Sequence, residues 1–89
     1  MTGRLAGKVA LITGVGGGMG VTAASMFCAE GARVVGCDLS VEGAAATEAA
    51  VRAEGGEITC TGGVDLGDAE AAREWVDAAA ATYDGVDVL

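Results

Sequence analysis

Thr13, Gly14, Gly18 and Gly20 stand in the order T-G-x-x-x-G-x-G, with Gly16 and Gly17 filling two of the variable places. An aliphatic run, Val9 to Ile12, leads into them, and an apolar segment of helix length follows. A strand that ends in a glycine turn and opens a helix makes an anion cradle. The first backbone N–H groups of the helix lack intrahelical partners, and the macrodipole is positive at that end. The turn carries no basic side chain. Gly14 lets the chain reverse out of the strand, Gly18 lets the backbone approach a phosphate, and Gly20 lets the helix lie close to the first strand. A G-x-G-x-x-G register does not fit, because positions 19, 21 and 23 are Met, Val and Ala; no Gly-Lys pair follows for a Walker A loop.

Asp38 is the second group with chemical meaning. It lies 24 residues after Gly14 and 18 after Gly20, at the end of the apolar run Arg33 to Asp38. An acid at that place accepts hydrogen bonds from an adenosine ribose. It also repels a 2′-phosphate: two unit charges ~4 Å apart at an effective dielectric of 20 interact by roughly 4 kcal/mol. With solvent halving that figure, NAD is preferred over NADP by about tenfold or more. Gly17 and Leu39 offer no cation to offset the effect, and Arg33 sits at the far end of the strand.

The elements that must position these groups follow from periodicity. Met1 to Gly7 is a lead-in whose Leu5 tucks under the sheet, and Val9 to Thr13 is the first strand. Met19 to Glu30 has helix length, with Gly20, Ala24, Phe27 and Cys28 on one face and Gly31 ending it. Arg33 to Asp38 is a second strand, Ser40 caps a helix from Val41 to Glu54, and Gly55 and Gly56 close it. A third strand runs from Glu57 to about Thr61. Asp68 caps a third helix, whose inward positions read Ala72, Val76, Ala79 and Tyr83 and which Asp84 and Gly85 end. Trp75, next to Val76, reads as covering a helix flank. Val86 to Leu89 begins a fourth strand. The order βαβαβαβ predicts an α/β fold with a parallel sheet, right-handed crossovers and spatial order 3-2-1-4, the first two helices on one face and the third on the other. Ligands bind such sheets at the C-terminal ends of the strands, where the order switches.

Composition narrows the partners. The 89 residues amount to one domain, 52% apolar with one Trp, one Tyr and one Phe, so the interior is built from Ala, Val, Leu and Ile. A chain of this size buries roughly 60 to 65% of its unfolded surface, which makes a marginal core. A net charge of −8 with five basic residues argues against nucleic acid and against an anionic membrane surface. There is no long apolar run and no signal-peptide core in the first residues, so the expectation is a soluble cytoplasmic protein. Cys28, Cys37 and Cys60 show no C-x-x-C spacing and read as buried free thiols; without His or paired Cys no metal site is expected.

Taken with the strand before it and the helix after it, T-G-x-x-x-G-x-G resembles the nucleotide loop of the short-chain dehydrogenase/reductase family, in which Met19 stands where Ile is usual. The resemblance covers the whole chain but only the first part of the family's Rossmann-type fold, cut short after the start of the fourth strand. It implies that Thr13, Gly14, Gly16, Gly17, Gly18, Met19 and Gly20 form the cofactor loop and that Asp38 and Leu39 meet the adenosine ribose. Asp65 and Leu66 resemble the family's pair against the adenine; a helix-entry acid serving the third helix is the alternative. The implied function is the NAD-binding segment of an oxidoreductase that moves hydride between a nicotinamide cofactor and an alcohol or ketone, in a homo-oligomeric parent. The family's Ser, Tyr, Lys and Asn of hydride transfer lie beyond the matched region. Tyr83 has Asp87 at i+4 instead of Lys, and Lys8 is a strand's length, roughly 17 Å, from the chemical edge. No catalytic residue is assigned. The alternatives are a non-catalytic nucleotide-binding or interaction fragment and an S-adenosylmethionine-dependent methyltransferase. The latter usually carries an acid just before the first glycine, where Ile12 and Thr13 stand.

Overall fold

The structure is a computed structural model and describes residues 6–83. Its three aliphatic and β-branched runs form parallel strands, β1 (Val9–Thr13), β2 (Arg33–Asp38) and β3 (Glu57–Gly62). Between and after them lie α1 (Gly18–Ala29), α2 (Val41–Ala53) and α3 (Ala69–Thr82). The strand order is β1-β2-β3, the 3-2-1 portion of the expected sheet. Leu5, the helix stop at Asp84 and Gly85, and the fourth strand at Val86 to Leu89 lie outside the described residues. No helix among the described residues is long and apolar enough to cross a membrane.

β2 is the middle strand and is buried from Val34 through Cys37, as a strand covered on both faces must be. α1 and α2 share one face with Ala10, Val15, Val34 and Ile58, to which they contribute Ala24, Ala44 and Val51. α3 covers the other face, over Val9, Leu11, Val35 and Cys37. The small residues facing the sheet let the α1 and α2 backbones approach it closely. The caps follow the sequence: Ser40 Oγ accepts from the Gly43 amide at 3.0 Å, and Asp68 Oδ1 accepts from Glu70 at 2.9 Å and Ala71 at 3.2 Å. Each satisfies amides that a helix start leaves open.

α3 corrects one expectation. Val76 is 39% exposed, whereas Trp75 is only 6% exposed and packs with Ala79 on the face of the sheet that α3 covers. The stripe toward the sheet runs Ala72, Trp75, Ala79, Tyr83, with Ala72 and Tyr83 half-buried and Trp75 in the place expected for Val76. The indole has far more apolar area than an isopropyl group, so the helix turns to bury the ring. Trp75 is therefore core and not flank.

β3 is the outer strand of the described sheet, and two of its backbone groups are met by α2 side chains. Glu48 Oε2 accepts from the Cys60 amide at 2.6 Å, Arg52 Nε donates to the Ile58 carbonyl at 3.0 Å, and the two side chains pair at 3.6 Å. At the opposite end of the sheet from the glycine loop, Arg33 pairs with Glu57 at 3.3 Å and lies 5.7 Å from the centroid of the Tyr83 ring. Tyr83 shares a hydrogen bond of 3.2 Å with Thr59, which makes it a packing residue.

All three cysteines are free, but only Cys37 is fully buried; Cys28 and Cys60 are half-buried, because they sit where α1 and β3 meet the rim of the core. Burial, with the Glu48 carboxylate adding to it, pushes the Cys60 thiol from its ordinary 9.0 up to about 11. The folded chain thus holds this proton more tightly than the unfolded one, and the resulting stability is present below pH 9.0 and lost as the pH rises through about 11. At pH 8 the folded thiol is expected to react with iodoacetamide roughly a hundredfold more slowly than the same thiol in urea, because the thiolate is the nucleophile. Mass-spectrometric rates across pH check both the ratio and the rise toward about 11.

Candidate functional site

The parallel register brings the loops after β1, β2 and β3 to one edge. Thr13 is level with Cys37 and Cys37 with Thr61, so the chain leaves all three strands side by side. Gly14 turns the backbone with φ +65°, a conformation that L side chains rarely adopt. Val15 then drops into the core. It is fully buried, and its N–H donates to the Cys37 carbonyl at 3.0 Å. Its side chain fills the place a Cβ on Gly36 would take, 2.7 Å from Val15 Cγ2. Gly17 donates to the Gly14 carbonyl at 3.1 Å and becomes the N-cap of α1, with no side chain capping it.

The first helical bond runs from Val21 to Gly17 at 2.9 Å. The amides of Gly18, Met19 and Gly20 precede it and form the open, partially positive end of the helix. A Cβ on Gly18 would meet nothing within 4 Å, so this backbone is bare toward the edge. Met19 is 90% exposed on the same turn. Gly20 is the opposite case. A Cβ there would collide with the Gly14 carbonyl oxygen and come within 2.8 Å of Val15 Cα.

Asp38 is fixed by the loops on either side of it. Its Oδ2 accepts from the Gly16 amide at 3.0 Å and its Oδ1 from the Ser40 amide at 2.8 Å. A carboxylate has about four lone-pair sites, so two remain for hydroxyl donors. Asp65 shapes its own turn, with Oδ1 accepting from Gly67 at 2.9 Å and its carbonyl accepting from Asp68 at 3.1 Å, while the Val64 amide donates to the Asp38 carbonyl at 3.2 Å. These loops enclose a cleft of about 360 Å³ in which Gly14, Asp38, Leu39, Asp65 and Leu66 face one another. Five of the eleven expected site residues thus line one cleft, and Thr13, Gly16, Gly17, Gly18, Met19 and Gly20 form the loop beside it. The cleft lining contains no Lys or Arg. Asp65 both enters the turn before α3 and borders the cleft, so the two readings of it share one position.

A roomier hollow of about 490 Å³ lies at the other end of the sheet, between the C-terminal ends of α1 and α2. Its Glu54 carboxylate accepts from Ser25 Oγ at 2.7 Å, and the Cys28 thiol beside it is pushed up by burial foremost. It offers neither a cation nor a thiolate to a ligand.

Three residues of the loop's support escape the sequence motif: Val15, Gly36 and Thr47. Gly36 carries a signal, since a glycine inside a buried strand marks a close approach. Val15 carries a weaker one, as the only branched residue among the glycines. The pairing of Thr47 with the loop spans 32 residues and has none.

The family model for short chain dehydrogenase matches residues 8–89. A 2,5-dichloro-2,5-cyclohexadiene-1,4-diol dehydrogenase of Sphingobium indicum is 42% identical over 89 residues, covering 100% of this chain and 35% of that protein. An NAD+-bound xylitol dehydrogenase has a TM-score of 0.90 at 30% identity, over 96% of this chain and 33% of the other. A metagenomic short-chain oxidoreductase in complex with NADP has a TM-score of 0.87 at 34% identity, over 96% of this chain and 38% of the other. The chain spans about a third of the length of the relatives it matches. These likenesses give the methyltransferase reading no support. With residues 8–89 matched and the same fold in solved members, the chain belongs to the short-chain dehydrogenase/reductase family.

Proposed function

We propose that this chain binds NAD at the C-terminal edge of its sheet and forms the nucleotide-binding portion of an oxidoreductase acting on an alcohol or ketone. The observation that carries the reading is Asp38, held by the Gly16 and Ser40 amides with lone pairs left over, in a cleft without a cation. The residues fit the group. The bare backbone at Gly18 and the open amides of α1 suit a pyrophosphate, and Asp38 suits a ribose with two free hydroxyls. Leu39, Leu66 and Asp65 border the space for an adenine. The bound cofactor supplies the ring that exchanges hydride. The chain's own residues orient the adenosine diphosphate part and discriminate at the 2′ position.

The relatives that support the reading include NAD and NADP complexes, so the cofactor choice rests on Asp38 in this chain. The single Tyr is followed at i+4 by Asp87, and Lys8 lies before β1, so the 89 residues are read as binding the nucleotide without performing the hydride step. Titration calorimetry with NAD and NADP tests this. NAD is expected to bind at least about tenfold more tightly. Equal affinities, or tighter NADP, would overturn the assignment.

A further inference from the structure

We propose that Thr47 of α2 is a positioning residue that presets the glycine loop for a pyrophosphate. The proposal rests on the nucleotide-binding reading above. Thr47 is a polar side chain only 2% exposed, and its hydroxyl donates to the Val15 carbonyl at 3.0 Å. Val15 is thereby held from three sides. Its amide is bonded to Cys37, its side chain is packed over Gly36, and its carbonyl is bonded to Thr47. One turn earlier on the same helix, Gly43 backs the next loop residue. A Cβ on Gly16 would come within 2.8 Å of the Gly43 carbonyl carbon. α2 therefore braces two consecutive loop residues without touching the edge where a ligand would lie.

The brace has a physical purpose. Five of the seven residues from Gly14 to Gly20 are glycine, and free glycines sample more backbone conformations than any other residue. A loop that had to be ordered by each incoming ligand would bind it more weakly, and one ordered in advance avoids that cost. Thr47 and Gly43 hold the Val15 and Gly16 backbone from behind. At the adenosine end, Leu39 and Leu66 line the cleft without them, and the one link is the Gly16 amide, which donates to Asp38 at 3.0 Å.

The test compares NAD with adenosine, which lacks the phosphates, by calorimetry on wild type, Thr47→Val and Thr47→Ser. Loss of one net hydrogen bond predicts that Thr47→Val weakens NAD about fivefold. Thr47→Ser keeps NAD affinity, and adenosine, which meets the loop only through the bond from Gly16 to Asp38, loses clearly less than NAD in Thr47→Val. Unchanged NAD affinity in Thr47→Val, or an equal loss for adenosine, overturns the brace. Should Thr47→Val not fold, Thr47→Ala removes the same hydroxyl from the Val15 carbonyl without a branched side chain. It must then show the same larger loss for NAD than for adenosine, and a wild-type ratio overturns the proposal. A wild type that binds no NAD overturns the nucleotide reading and the brace together.

Discussion

Gly20→Ala is expected to abolish nucleotide binding and to destabilise the chain by about 3 kcal/mol, the upper part of the range for overpacking. The added methyl would meet the Gly14 carbonyl oxygen and Val15 Cα, both of them backbone, so no side chain can swing away to receive it. Either α1 moves off the sheet or the turn at Gly14 opens, and both displace the amides of the first helical turn. Thermal unfolding and NAD calorimetry check the two losses. Gly18→Ala is the control that separates them. Its methyl meets nothing within 4 Å, so stability should rise by roughly 0.5 to 1 kcal/mol, as for glycine to alanine in a helix. Binding should still fall, because that open space is where the phosphates are read to lie. If Gly18→Ala binds NAD as the wild type does, the bare backbone is not the phosphate site.

Asp38→Ser is expected to narrow the preference for NAD over NADP by about tenfold or more, since it removes the charge that opposes a 2′-phosphate. NADP affinity should rise and NAD affinity fall, the latter because a hydroxyl replaces a carboxylate that can accept from ribose. The substitution also takes acceptors from the Gly16 and Ser40 amides, at 3.0 and 2.8 Å. Those amides lie near solvent, so water can replace much of what is lost. Calorimetric affinities for both nucleotides give the ratio directly. An unchanged ratio would mean that Asp38 holds the loop but does not read the ribose.

Much of the fold was legible because the signals are local. Val9 to Ile12 and Val34 to Val35 are aliphatic runs too short for helices, and Ser40, Asp68, Gly31 and Gly55 punctuate the segments between them. The loop and Asp38 were legible together because parallel strands must release their chains at one edge. One inward position of α3 was misread for a physical reason, the other three, Ala72, Ala79 and Tyr83, being as expected. Val76 and Trp75 are neighbours, both apolar, and steps of three and four fit either stripe. Only the sheet opposite decides between them, by rewarding the larger buried area of the indole. Thr47 stayed hidden because it bonds to a main-chain carbonyl, and no residue type announces which carbonyl a hydroxyl will find. The half-buried state of Cys28 and Cys60 was equally hidden, since it depends on where the core ends.

The Glu48 and Arg52 clasp on β3 gives the sheet a polarity of growth. A filament of edge-joined sheets needs two complementary rims, one to offer and one to receive, in every copy. Here the rim at β3 is occupied by the molecule's own side chains, which take the Cys60 amide and the Ile58 carbonyl and pair with each other. Among the described residues no strand lies beyond β1, which leaves that rim for a further strand. A copy docked there would offer the next one a rim with two of its backbone groups already taken, which disfavours further edge-to-edge addition. The same two side chains that anchor α2 thus blunt the β3 rim against edge-to-edge joining.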